Sequence, residues 1–133
     1  MALPVEHVLQ LKAKLVVSPL VATFTVVEEK VWQDRGYVRI RMTLANGDYV
    51  EAAEYFVLED NECVVYRYRY QWMDSKRQEL HKRWDNVEHH PGLPSFPHHV
   101  HVGREESVEP GKRLSIIQLL DVLDGEIPKG ERE

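Results

Sequence analysis

The dipeptide Asn46-Gly47, set between two alternating runs, constrains the fold of this chain more than any other feature. Asn and Gly tolerate the positive φ of a tight hairpin turn better than other residues, so the pair predicts that two antiparallel strands meet here. Upstream, Tyr37 to Leu44 puts Val38, Ile40, Met42 and Leu44 on one face and Tyr37, Arg39, Arg41 and Thr43 on the other. Downstream, the chain is expected to return as Tyr49 to Leu58.

More strand patterns flank this hairpin. Val21 to Trp32 is a β-branched and aromatic run that ends at the turn residues Asp34, Arg35 and Gly36. After a turn at Asp60-Asn61, Val64 to Trp72 alternates Tyr66, Tyr68, Tyr70 and Trp72 against Val65, Arg67, Arg69 and Gln71. Tyr66, Tyr68 and Trp72, with Trp84, read as core or sheet packing. A turn within Met73 to Gln78 leads to a fifth strand, Leu80 to Asp85. An even loop such as Ser75-Lys76 sets Tyr70 opposite His81, Tyr68 opposite Arg83 and Tyr66 opposite Asp85; an odd loop reverses the face. Pro91, Pro94 and Pro97 then exclude helix and central strand. His98 to Val102 is short and extended, with His99 and His101 pointing one way and His98 the other.

The chain ends read as helices. Val5, Val8, Leu9, Leu15 and Val16 recur at helical intervals behind Pro4, giving a helix from about Val5 to Val16 that leaves His7 on the surface. Val108 to Lys112 reads as a linker, and Leu114, Ile116, Ile117, Leu120 and Leu123 mark a second helix stopping at Gly125. The expected fold is α+β: an antiparallel meander of about five strands with N- and C-terminal helices packed on one face, in a single domain over residues 1–133.

Charge and composition narrow the function classes. With 22 acidic and 17 basic residues the formal net charge is −5, which argues against blanket nucleic-acid affinity. Between Val64 and Arg83, however, six basic residues face only Asp74 and Glu79, a local balance suited to anions. No window approaches the roughly 18 apolar residues of a membrane span, the N-terminus lacks a secretory signal, and the single cysteine, Cys63, forms no internal disulfide. These features fit a reducing, cytoplasmic setting. Phosphate-cradling glycine loops, dinucleotide fingerprints and Gly-x-Ser-x-Gly are absent.

Six of the seven histidines fall between His81 and His101, far more titratable side chains than a core needs. Two chemistries stand side by side. In the first, His81, Arg83, Asp85, His99 and His101 cleave RNA without metal: imidazoles carry protons, Asp85 orients one of them, and guanidinium groups meet the phosphorane charge. Arg67, Arg69, Tyr70 and Lys82 would bind the nucleic acid. In the second, His89, His90, His99 and His101 hold a divalent metal such as zinc. A different class of reading makes the His-rich loop a non-catalytic surface for a partner protein or nucleic acid.

At Trp84-Asp85-Asn86, His89-His90-Pro91 and Phe96-Pro97-His98-His99-Val100-His101 the sequence resembles the TumE family of toxins from type II toxin–antitoxin systems. The Tyr68 to Trp72 strand, the Asn46-Gly47-Asp48 turn with Glu54-Tyr55 after it, and the C-terminal helix fall where that family has comparable features. The likeness is specific from about Tyr66 to His101. Gln71 stands where the family commonly has a histidine, and Val87-Glu88-His89 where Ala-Pro-His is common. The resemblance implies a small cytoplasmic prokaryotic toxin whose partner is a cognate antitoxin protein. Joined to the histidine cluster, it gives the expectation of an endoribonuclease toxin.

Overall fold

The computed structural model describes residues 3–131. One antiparallel sheet carries seven strands: β1 (Val21–Val31), β2 (Arg35–Leu44), β3 (Tyr49–Glu59), β4 (Glu62–Met73), β5 (Leu80–Asp85), β6 (His99–Val102) and β7 (Val108–Pro110). Their order in space is their order in the chain. Helices α1 (Pro4–Val17) and α2 (Ile116–Glu126) cover one face of the sheet, and the other face is open. Among the described residues no helix is long and apolar enough to cross a membrane.

The alternation read from the sequence is what builds the core. Val38, Ile40, Met42 and Leu44 from β2, Val50, Ala52 and Phe56 from β3, and Tyr68, Tyr70 and Trp72 from β4 meet Val8, Leu11 and Leu15 of α1 and Ile116, Leu119 and Leu123 of α2. Each fully buried large apolar side chain is worth about 1.5–3 kcal/mol. Gly36 is required by this packing, because a Cβ there would run into the Phe56 ring. The Asn46-Gly47 hairpin forms, with Gly47 alone at positive φ (93°) while the Asn46 side chain accepts from Asp48 N at 2.9 Å.

A buried polar knot joins both helices to the sheet. Glu54, 1% exposed, accepts from Ile116 N at 2.7 Å and Tyr70 Oη at 3.3 Å, and lies 2.5 Å from His7 Nε2. His7 is therefore not the surface residue that its place in the helix pattern predicts. The carboxylate meeting it comes from 47 residues away, which no local pattern reveals.

Four other expectations change. The sheet has seven strands, not about five, because the expected extended piece at His98 to Val102 pairs with β5 and part of the expected linker forms β7, whose Pro110 lies on the sheet edge. Tyr66 is 49% exposed: β4 shifts register between the Tyr55–Arg67 and Phe56–Val65 pairs, which sends Val65 inward and Tyr66 out. Helix α2 starts at Ile116, where Ser115 Oγ accepts from Gln118 N at 3.1 Å and Gln118 Oε1 from Ser115 N at 2.9 Å. It runs through Gly125 to Glu126, and the buried Ile127 before Pro128 ends it.

Candidate functional site

The β4–β5 register decides which side chains meet. The turn between these strands is long: Asp74 Oδ1 accepts from Gln78 N at 2.8 Å and Glu79 N at 3.1 Å, Arg77 sits at φ 58°, and β4–β5 pairing is irregular at Trp72/Met73. Arg69 therefore opposes Asp85 and Gln71 opposes Arg83, while Asp85 opposes His99 and Arg83 opposes His101 across β6. Tyr70, Trp84 and Val100 occupy the intervening row on the covered side. The pairing of Tyr70 with His81, Tyr68 with Arg83 and Tyr66 with Asp85 does not occur.

Three of the expected residues consequently lie elsewhere. Tyr70 is fully buried and donates to Leu114 O at 2.8 Å, so it is a core residue rather than a nucleic-acid contact. Lys82 reaches the C-terminal end of α2, with Nζ 2.6 Å from Glu126 Oε1. His81 lies against Trp72, ring centroids 4.7 Å apart, with Nε2 3.4 Å from Asp48 Oδ2, at the far end of β5. His98 points to the covered side as expected, with Nδ1 2.9 Å from Tyr68 Oη.

On the open side Asp85, His99 and His101 form a tight group, and all three are buried. His99 Nε2 is 2.9 Å from Asp85 Oδ1, and His101 Nε2 is 3.7 Å from Asp85 Oδ2. The Nδ1 atoms face main-chain carbonyls, Pro97 O at 2.9 Å for His99 and Glu105 O at 2.8 Å for His101. Carbonyls only accept, so both Nδ1 atoms carry their protons and both Nε2 atoms point into the group. His90 closes over them, its ring 4.9 Å from that of His99 and 5.9 Å from that of His101. One ligand nitrogen from each of these three histidines lies within 4.8 Å of the others. His89 is exposed and turns away, 6.5 Å from the His90 ring.

The surroundings hold this group in place. Asn86 locks the start of the loop onto β4, donating to Tyr66 O at 2.7 Å and accepting from Tyr68 N at 3.1 Å; Asp85 Oδ1 accepts from Val87 N at 3.0 Å. Arg83 Nε donates to Asp85 Oδ2 at 3.2 Å, and its two terminal nitrogens hold the Glu105 carboxylate. Arg83 therefore fixes the carboxylate of Asp85 and has no free fork for a phosphate. Glu105 did not stand out in the sequence, since nothing local marks it as the partner of a residue 22 positions earlier.

Electrostatics follow the geometry. Burial, then the neighbouring imidazoles of His99 and His101, pushes the His90 pKa down. The hydrogen bonds that Arg83 donates to Glu105 lower the Glu105 carboxyl and raise Arg83. Burial, then the charge of Asp85, raises the Tyr68 hydroxyl.

A groove of about 1110 Å³ runs beside the group over the open face, lined in part by Trp32, Tyr55, Tyr66, Arg67, Arg69 and Asn86. The Arg67 guanidinium lies 5.5 Å from the centre of the Tyr55 ring, and that of Arg35 lies 4.9 Å from Trp32.

The family model described as Toxin TumE matches residues 9–129. This chain belongs to the TumE toxin family. The match spans the residues of the Asp85, His90, His99 and His101 group and those lining the groove. No curated protein and no solved structure matches the chain.

Proposed function

We propose that this TumE toxin cuts RNA in the cytoplasm at the Asp85, His90, His99 and His101 group, and that a cognate antitoxin protein restrains it. One observation carries the reading: among the described residues, the sheet face that the helices leave open brings a carboxylate and three imidazoles together beside a groove of arginines and aromatic rings. Tyr55, Trp32 and Tyr66 offer stacking surfaces to single-stranded bases, each stack worth about 1–3 kcal/mol, and Arg67 and Arg69 neutralise phosphates. The group then handles the protons of transesterification. The 2′-hydroxyl loses its proton as its oxygen bonds to phosphorus, and the 5′-oxygen bond breaks as that oxygen gains one.

The test is incubation of the purified chain with mixed single-stranded RNA, beside growth inhibition on expression. The wild type is expected to produce defined fragments and arrest growth, and Asp85→Asn to lose both. Growth arrest without RNA fragments at any protein concentration would remove the nuclease. Retained RNA binding in that case would make the open face a binding module.

A further inference from the structure

We infer that His90, His99 and His101 bind one divalent transition-metal ion of the zinc type, with Asp85 as the adjoining carboxylate. The inference concerns the group given a role in RNA cleavage above, but metal loading is measured without RNA and stands or falls by itself.

Spacing is the first argument. The ligand nitrogens lie within 4.8 Å of one another. Bonds of about 2.0–2.1 Å in a tetrahedron put donors roughly 3.3 Å apart, so an ion requires the group to close by about an ångström or so. The two strand histidines are fixed by their carbonyl bonds, whereas His90 hangs from the loop and supplies the movement.

Orientation is the second. A ligating histidine characteristically donates its other N–H to a carbonyl or carboxylate, which fixes the tautomer and aims the ring. His99 and His101 both do so through Nδ1, to Pro97 O and Glu105 O, leaving Nε2 directed at the shared spot.

The third argument is hydrogen-bond and charge accounting. His99 presents both nitrogens to oxygen acceptors, Pro97 O and Asp85 Oδ1, each at 2.9 Å, yet a neutral imidazole has one N–H. A cation held between Nε2 and Asp85 Oδ1 satisfies both atoms. Arg83 is shared between Asp85 and Glu105, one cation against two carboxylates, so the group also leaves one negative charge without a cation. A single divalent ion meets the nitrogens and the charge deficit at once.

Donor chemistry selects the metal. Imidazole nitrogens with one carboxylate suit zinc and its transition-metal neighbours, whereas magnesium and calcium take oxygen shells. The remaining histidines of the stretch are otherwise placed, His98 against Tyr68 and His81 against Asp48.

The experiment uses the full chain without an affinity tag, stripped with chelator, dialysed and titrated with zinc chloride by calorimetry, with metal content read by mass spectrometry. One equivalent is expected to bind, to raise the thermal midpoint, and with cobalt to give the visible spectrum of a tetrahedral site. His90→Ala, His99→Ala and His101→Ala should each weaken binding by more than about tenfold, while His89→Ala and His98→Ala leave it unchanged. His90 lies on a loop outside the core, so its variant decides the matter even where a strand variant fails to fold. No bound zinc in the wild type, or equal binding by His90→Ala, overturns the site. A wild-type chain that takes up no zinc yet cleaves RNA would sink the metal and keep the nuclease; bound zinc with no cleavage would do the reverse.

Discussion

His7 and Glu54 meet at 2.5 Å on the covered side of the sheet, and His99 and Asp85 meet at 2.9 Å on the open side. Both pairs are buried, yet their surroundings differ. Around Glu54 the protein supplies every partner: a histidine, a tyrosine hydroxyl and the first amide of α2 converge on one carboxylate. Such a pair clamps elements together. Around Asp85 the donors are an arginine and one amide, and the excess lies in imidazole nitrogens aimed at a common point. Burial of a histidine beside a carboxylate therefore does not mark a functional site. What sets the open pair apart is its surplus of ligating nitrogens.

Breaking the covered pair should have the largest effect. Glu54→Ala strands the His7 ring and the Ile116 amide, while the Tyr70 hydroxyl keeps Leu114 O, and losing one partner of a buried pair costs about 3–5 kcal/mol. Denaturant and thermal melts should report that loss, while RNA cleavage per folded molecule stays at the wild-type level. Breaking the open pair should invert the pattern. Asp85→Asn keeps the shape and the acceptor for Val87 N, so the expected stability change is within about 2 kcal/mol, whereas cleavage falls by about 10²-fold or more. A variant that loses stability and activity together would erase the contrast between the pairs.

Smaller effects sharpen it. Replacing both Arg67 and Arg69 with alanine should leave the melt unchanged and lower affinity for single-stranded RNA. The slope of log affinity against log salt should become shallower by about 1.4, some 0.7 per lost phosphate contact, in fluorescence anisotropy. The smallest effect is expected at Asp74, whose carboxyl is held below its usual range by the amides of Glu79 and Gln78. A depressed carboxyl adds stability above its ordinary pKa of about 3.9, and that stability is lost as pH falls through its folded value. Asp74→Asn should therefore melt lower than wild type at neutral pH, and the gap should narrow in strong acid. The open cluster, on the far side of the turn, supplies no part of that difference.

The sequence made the elements legible where a period repeats: β2, β3 and α1 lie within two residues of the alternation and helical spacing that predict them. Within the stretch that the sequence singled out, the Asp85, His90, His99 and His101 side chains converge. What it hid was register. Whether Tyr66 or Arg69 stands beside Asp85 depends on the length of the Asp74 to Glu79 turn and on an irregularity next to it, and neither leaves a periodic trace. That one ambiguity misassigned Tyr70, Lys82 and His81. The Tyr66 bulge, the Glu54 knot and the Arg83–Glu105 pair were hidden for a related reason, being products of contact between residues distant in the chain or of an extra residue in one strand.

Because each strand lies beside the one made just before it, synthesis lays the sheet down like courses of brick. A nascent chain that has reached β4 already owns its arginines and tyrosines, yet the histidine group waits until residue 101 has left the ribosome and β6 has found β5. A chain cut short before β6 keeps Asp85 but never receives the two imidazoles that close on it.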